Sequence, residues 1–210
     1  YVAGRVLADI IRERGAHRVT DAVELVRQML AGLSAVHAAG MLHLQLNPGA
    51  ILIGEDGIVR IAEIGVASLS TGGDRTERTE TIDAVRYLAP EQIEGGDVSE
   101  ATDLYAAGLM LFALLTGQPA FPGTNPALVR FAHLHATIPT PSHLRPDVIS
   151  GALDAAVLRA LDKDPARRFR DARAMADALT ATPADLRVDR LVDQTAIAPT
   201  SPPPPRFVAI

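Results

Sequence analysis

Between Ser99 and Thr116 the chain carries a helical stretch in which Leu104, Ala107, Leu111, Leu114 and the residues around them leave almost no polar face. A helix that is apolar all round has no side to turn to water, so it belongs in the middle of its domain. Its longest apolar run, Leu104 to Leu115, falls well short of the roughly 20 residues that a membrane-spanning helix needs. Everything else must therefore wrap this helix, and a chain of 210 residues can bury one good core of that kind.

Periodicity supplies the wrapping. Val6 to Glu13 reads as a short helix closed by Gly15. A longer helix is expected from Asp21 to Ala39, with Val23, Val26, Leu30, Leu33 and Val36 on one face, Thr20 as its cap and Gly40 as its stop. The β-branched runs Ile51 to Ile53 and Ile58 to Ile61 flank Gly54-Glu-Asp-Gly57, an Asp-Gly hairpin signal. Leu69 to Asp83 is polar and rich in Thr, Gly, Arg and Glu, the composition of an exposed loop. Further helices are expected over Ala127 to His135, Gly151 to Leu161 and Asp171 to Leu179, with loops punctuated by proline before them. From Pro183 the apolar rhythm fades, and Pro199-Thr-Ser-Pro-Pro-Pro-Pro205 suits only an extended, polyproline-like segment. Residues 1–181 are thus read as one domain and 182–210 as a disordered, Pro-rich linker or tail.

Composition excludes several function classes. With no cysteine there are no disulfides and no thiolate metal sites. A net charge of -5 gives no reason to expect nucleic acid as a partner. Neither an initiator Met nor a basic and apolar leader opens the chain, so it is expected to begin inside a larger protein. The expected location is cytoplasmic, with any membrane tether supplied by sequence outside this chain.

Five short motifs then follow one another in order. They are His43-Leu-Gln-Leu-Asn-Pro-Gly-Ala50, Glu63-Ile-Gly65 beyond the hairpin, Ala89-Pro-Glu91, Asp103 within Ser99-Glu-Ala-Thr-Asp-Leu-Tyr-Ala-Ala-Gly108, and Asp164-Pro-Ala-Arg-Arg168. In content and order they resemble the C-terminal lobe of a bacterial Ser/Thr protein kinase, and Tyr1-Val-Ala-Gly-Arg-Val-Leu7 resembles the exit from that family's hinge. The resemblance implies a protein-kinase-like C-terminal lobe, mainly α with a short β-hairpin, and no N-terminal lobe within the chain. No Gly-rich G-x-G-x-x-G loop occurs, and the sole lysine, Lys163, lies in the late motif, so no residue here supplies the phosphate-binding lysine.

The same resemblance assigns the site. His43 stands where the family has an architectural histidine under the metal-binding loop. Asp103 stands for the buried aspartate that holds the catalytic loop backbone, and Arg168 for the arginine that pairs with Glu91. The active positions differ. Gln45 replaces the catalytic aspartate, and an amide does not accept a proton at neutral pH. Asn47 replaces the lysine that faces the γ-phosphate, and Ala50 replaces the asparagine that ligates the second Mg²⁺. Only Glu63 keeps a carboxylate at the first metal position, a weak metal candidate because its extra methylene moves the carboxylate by about 1.5 Å.

On these replacements the chain is expected to be a pseudokinase, a signalling or scaffolding module without enzymatic activity. No cofactor is expected, and ATP with Mg²⁺ enters only if an N-terminal lobe lies upstream. The rival expectation is part of a Ser/Thr protein kinase that binds ATP, or keeps residual phosphotransfer, once joined to such a lobe. Thr76, Thr79 and Thr81 fall in the activation segment, and Thr195 in the tail, as phosphosite candidates. Thr79 has Ile82 three residues on, a spacing that resembles the phosphothreonine motifs taken by forkhead-associated domains. The expected partners are accordingly an active Ser/Thr kinase and a phosphothreonine reader of that type. His133 and His135, two apart on a helix, face different sides and make a poor metal pair.

Overall fold

The structure, a computed structural model, describes residues 3–64, 81–146 and 148–180. Strand β1 (Gly4–Val6) runs directly into helix α1 (Leu7–Arg14), and α2 (Val19–Ala38) follows. A loop and a single 3-10 turn (Pro48–Ala50) lead to strands β2 (Ile51–Gly54) and β3 (Val59–Ile61). Beyond residue 80 come α3 (Ile82–Val85), α4 (Pro90–Glu94), α5 (Glu100–Thr116), α6 (Pro126–His135), α7 (Pro141–Leu144), α8 (Gly151–Ala160) and α9 (Ala172–Thr180).

Helix α5 occupies the centre that its composition demands. Every residue from Thr102 to Leu115 is buried, and α2, α7, α8 and α9 pack around it. Gly108 lets α8 come close, since a Cβ there would sit 2.8 Å from the Ala160 methyl and 3.0 Å from Leu161. The helix ends at Gly117, whose φ of 76° is left-handed and whose missing Cβ leaves room for the Ala16 amide, 2.5 Å from where that atom would be. Arg145 then ties this corner together by donating from Nη1 to the carbonyls of His17, at 2.8 Å, and Leu115, at 2.7 Å.

Helix α2 bridges the helical body and a small antiparallel sheet in the order β1-β2-β3. The register pairs Val6 with Leu52 and Ile51 with Ile61. Ile51 and Ile53 alternate into the core, while the Val59 amide is satisfied by Gln28 Oε1 of α2 at 3.0 Å. The sheet and α2 together frame the loop between Gly40 and Pro48.

Some expectations change. Gly4–Val6 adds a third strand to the expected hairpin, α3 begins at the end of the stretch read as loop from Leu69 to Asp83, α7 lies within a stretch read as a Pro-rich loop, and α4 falls where no element was expected. Thr20 does not cap α2. The helix begins at Val19, and the Thr20 hydroxyl lies 3.2 Å from the neighbouring Asp21 carboxylate instead. Gly65, Thr76, Thr79, the tail and Thr195 lie outside the described residues. Among the described residues, no helix is long and apolar enough to cross a membrane.

Candidate active site

Helix α2 ends at Ala38, Gly40 turns the chain with φ 72°, and Met41 to Asn47 run out as an irregular loop. A loop of this kind has no ladder of its own, so its amides need outside acceptors. Asp103, one turn into α5 and only 1% exposed, provides them. Its Oδ1 accepts from the Leu44 amide at 2.7 Å, and its Oδ2 accepts from the His43 amide at 2.9 Å. Oδ2 also meets His37 Nε2 of α2 at 2.8 Å, with Glu100 3.5 Å from the other nitrogen of that ring. From the far side, the fully buried His43 ring is hydrogen-bonded through Nε2 to the Ala62 carbonyl at 2.9 Å, and so joins the loop to the strand that leads to Glu63.

Leu44 and Glu63 both adopt φ 63°, the left-handed region that ordinary side chains avoid. Such residues persist where the surroundings over-determine them, and they gather at functional sites. Leu44 is held at both ends: Asp103 takes its amide, and Gln92 Nε2 of α4 donates to its carbonyl at 2.7 Å. Gln45 follows immediately and is half-buried.

Asn47 serves the loop itself. Its Oδ1 accepts from the Gly49 amide, and its Nδ2 donates to the Gln45 carbonyl, each at 2.8 Å, so the side chain caps the 3-10 turn. Ala50, 1% exposed, accepts at its carbonyl from the Ala62 amide at 2.8 Å. Glu63 is exposed, and among the described residues no three acidic or histidine side chains cluster as a metal site.

A second polar cluster anchors the other end of the lobe. Arg168, 2% exposed, meets Glu91 through two parallel hydrogen bonds of 2.8 Å and stacks its guanidinium 4.7 Å from the Tyr105 ring centre. It also donates to the carbonyls of Asp162, at 2.8 Å, and Ala101, at 2.9 Å. Thr102 Oγ1 donates to Glu91 at 2.7 Å while accepting from the Ser99 amide at 3.1 Å at the start of α5. Burial works to raise the Glu91 carboxyl, but Arg168, the backbone and Thr102 outweigh it and hold the group below its ordinary value.

Beside this cluster His133 is fully buried, hydrogen-bonded with the Tyr105 hydroxyl at 3.1 Å, and pushed down to about 4 by burial and by the nearby Lys163. His135 is exposed and rests on Phe131, so the two histidines do part to different sides. Lys163 donates to the His133 carbonyl at 2.6 Å and is brought down to about 8, by burial and then by Arg168. Of the threonines, Thr81 is exposed and caps α3, its Oγ1 accepting from the Ala84 amide at 3.3 Å.

Sequence reasoning missed three contributors to this arrangement: His37, Thr102 and Gln92. Only Gln92 carried a legible signal, since it occupies the third position of a helix that opens Ala89-Pro90, where a glutamine side chain reaches back to the capping residue.

A buried aspartate holding an irregular loop, a histidine tying that loop to the following strand, and an Ala-Pro-Glu segment locked to a late arginine together define the C-terminal lobe of a protein-kinase-like fold. The protein kinase domain family matches residues 1–179. Serine/threonine-protein kinase drp72 of Corynebacterium efficiens is 31% identical over 204 residues, which is 95% of this chain and 38% of that relative. The probable serine/threonine-protein kinase PknB of Lactococcus lactis is 31% identical over 208 residues, 96% of this chain and 33% of the relative. Serine/threonine-protein kinase PknB of Mycobacterium tuberculosis is 33% identical over 177 residues, 83% of this chain and 28% of the relative. The chain belongs to the protein kinase family, among the bacterial Ser/Thr kinases, and spans about a third of the length of these relatives.

These relatives correct the expectation that the chain is not an enzyme. They bear the name of serine/threonine-protein kinases and match this chain across 83% to 96% of its length. The physical reason is the weight given to single side chains. Phosphoryl transfer asks a protein mostly for positioning and electrostatic stabilisation rather than covalent chemistry. Taken one by one, the replacements at Gln45, Asn47 and Ala50 leave out the loop that positions them.

Proposed function

We propose that this chain is the C-terminal lobe of a Ser/Thr protein kinase which, joined to an N-terminal lobe, binds ATP with Mg²⁺ and transfers the γ-phosphoryl group to a protein hydroxyl. The observation that carries this reading is the grip of Asp103 on the His43 and Leu44 amides, which fixes the residue before Gln45 in a left-handed conformation that a Leu does not adopt unaided.

In the transfer, the substrate oxygen forms a bond to the γ-phosphorus while the bond to the bridging oxygen breaks and ADP leaves. The hydroxyl proton departs to a phosphoryl oxygen or to solvent, because an amide does not take it. Gln45 acts by accepting a hydrogen bond from the hydroxyl at Oε1 and aiming it, much as a glutamine orients the attacking water in GTPases. Loss of the general base lowers the rate by about 10²- to 10⁴-fold relative to a carboxylate but leaves the positioning intact.

Glu63 is the residue that would hold Mg²⁺. One carboxylate suffices where the nucleotide phosphates and water complete the shell, which is how this ion is commonly bound. When bound, the ion neutralises charge on the transferring phosphates. Asn47 contributes by keeping the turn after Gln45 closed.

The test is transfer of labelled phosphate by the full-length protein. Gln45→Ala and Glu63→Ala should each suppress it strongly. Transfer that survives both substitutions, or none in the wild type with Mg²⁺ or Mn²⁺, overturns the proposal.

A further inference from the structure

Gln92 sits at the third position of α4, directly after the Ala89-Pro-Glu91 segment, and its amide is engaged at both ends. Oε1 accepts from the Ala89 amide at 3.0 Å, closing the start of the helix, and Nε2 donates to the Leu44 carbonyl at 2.7 Å. The assignment of oxygen and nitrogen is dictated by these partners, since an amide N–H offers only a donor and a carbonyl only an acceptor. The first bond is local and serves the helix. The second spans 48 residues and reaches the peptide that links Leu44 to Gln45.

Leu44 needs that reach. Its φ of 63° is unfavourable for a β-carbon-bearing side chain, and Asp103 restrains only the amide on its N-terminal side. The plane of the following peptide, and with it the direction in which Gln45 leaves the backbone, is restrained by Gln92. We propose that Gln92 is a positioning residue for phosphoryl transfer: it transmits the placement of the Ala-Pro-Glu anchor to Gln45 by holding the Leu44 carbonyl. This rests on the phosphotransfer reading of Gln45 given above. The anchor itself cannot drift, because Glu91 next door is locked to Arg168.

The two bonds can be separated experimentally. Gln92→Glu keeps an acceptor for the Ala89 amide, in a position where glutamate is a good helix-capping residue, but turns a lone pair on the Leu44 carbonyl. Gln92→Ala removes both bonds. In the full-length protein, Gln92→Glu should leave the melting temperature and the KM for ATP near the wild-type values while lowering kcat about tenfold. Its deficit should shrink as pH falls into the glutamic acid range, because the introduced carboxyl, once protonated, donates to the Leu44 carbonyl again. Amide hydrogen exchange at Leu44 should be faster in both variants. A wild-type kcat for Gln92→Glu, or a deficit that does not change with pH, overturns the inference. If the wild-type protein transfers no phosphate, the phosphotransfer reading fails, and the exchange measurement alone then decides whether Gln92 holds the loop: an unchanged rate at Leu44 rejects it.

Discussion

Arg168 and Glu91 are joined by two parallel 2.8 Å hydrogen bonds inside the lobe, where the arginine is 2% and the glutamate 7% exposed. Breaking such a pair from one side leaves the other charge buried without a partner, which typically costs about 3–5 kcal/mol. Arg168→Ala should therefore destabilise the lobe by that amount in chemical denaturation. The Glu91→Gln, Arg168→Met double variant should cost clearly less than the sum of the two single changes, because it strands no charge. Additive losses would mean that the two residues act independently.

The acid side of the stability curve should report the same chemistry at two places. His133 is held neutral in the fold, pushed down to about 4 from 6.5 by burial and Lys163. A depressed histidine contributes stability that is complete above pH 6.5 and is lost as pH falls through about 4. The gap corresponds to about 3 kcal/mol. His17, also lowered by burial, adds to the loss in the same direction. Glu91, held below its ordinary value, adds a separate loss that begins near pH 4.5 and continues below. Unfolding free energies of His133→Gln measured between pH 7 and 4 should show a shallower slope than the wild type, with the limb below pH 4 retained. An unchanged slope would place the titration elsewhere.

The parts of this fold that could be read in advance are those where one residue type has one physical use. The apolar circumference of α5 could only be central, and the Asp-Gly pair at Asp56-Gly57 could only turn a hairpin. Strand β1 was hidden because Gly4-Arg-Val6 is too short to alternate, and its pairing with β2 is set from outside. At the site, the motif positions led to Asp103, Glu91 and Arg168, and the capping bond of Gln92 to Ala89 was legible, yet its hold on the Leu44 carbonyl was not. It depends on Leu44 being left-handed, and no propensity assigns that state to a leucine. Asn47 has a further use that its comparison with a lysine does not show. Compared with a lysine it offers no charge, but within Asn47-Pro-Gly49 it is a turn-capping residue, and the capping bonds are what the loop uses.

Gly108 offers a test of packing against helix propensity. Replacing a mid-helix glycine by alanine gains about 0.8–1.0 kcal/mol in an open helix. Here the added Cβ would lie 2.8 Å from the Ala160 methyl, which has no rotamer to retreat into, and 3.0 Å from Leu161. Overpacking of a tight core costs about 1–3 kcal/mol, so the clash should win. Gly108→Ala is expected to lower the denaturation midpoint. Gly108→Ala combined with Ala160→Gly should recover part of the loss, which a purely local helix effect would not allow.

Gln45 is the position where a single change should alter catalysis most. Its backbone is already placed, through Asp103 on the Leu44 amide and Gln92 on the Leu44 carbonyl. A carboxylate introduced there inherits that placement and adds the capacity to accept the hydroxyl proton, a function worth about 10²- to 10⁴-fold. Gln45→Asp in the full-length protein should raise kcat within that range and leave the KM for ATP near the wild-type value, because in the proposed transfer residue 45 aims the hydroxyl and does not bind the nucleotide. The pH profile gives the second check. The variant's kcat should fall on the acid side as the new carboxylate is protonated, whereas the wild type, whose amide does not titrate, should lack that limb. A variant with unchanged kcat and no acid limb would mean that residue 45 does not face the substrate hydroxyl.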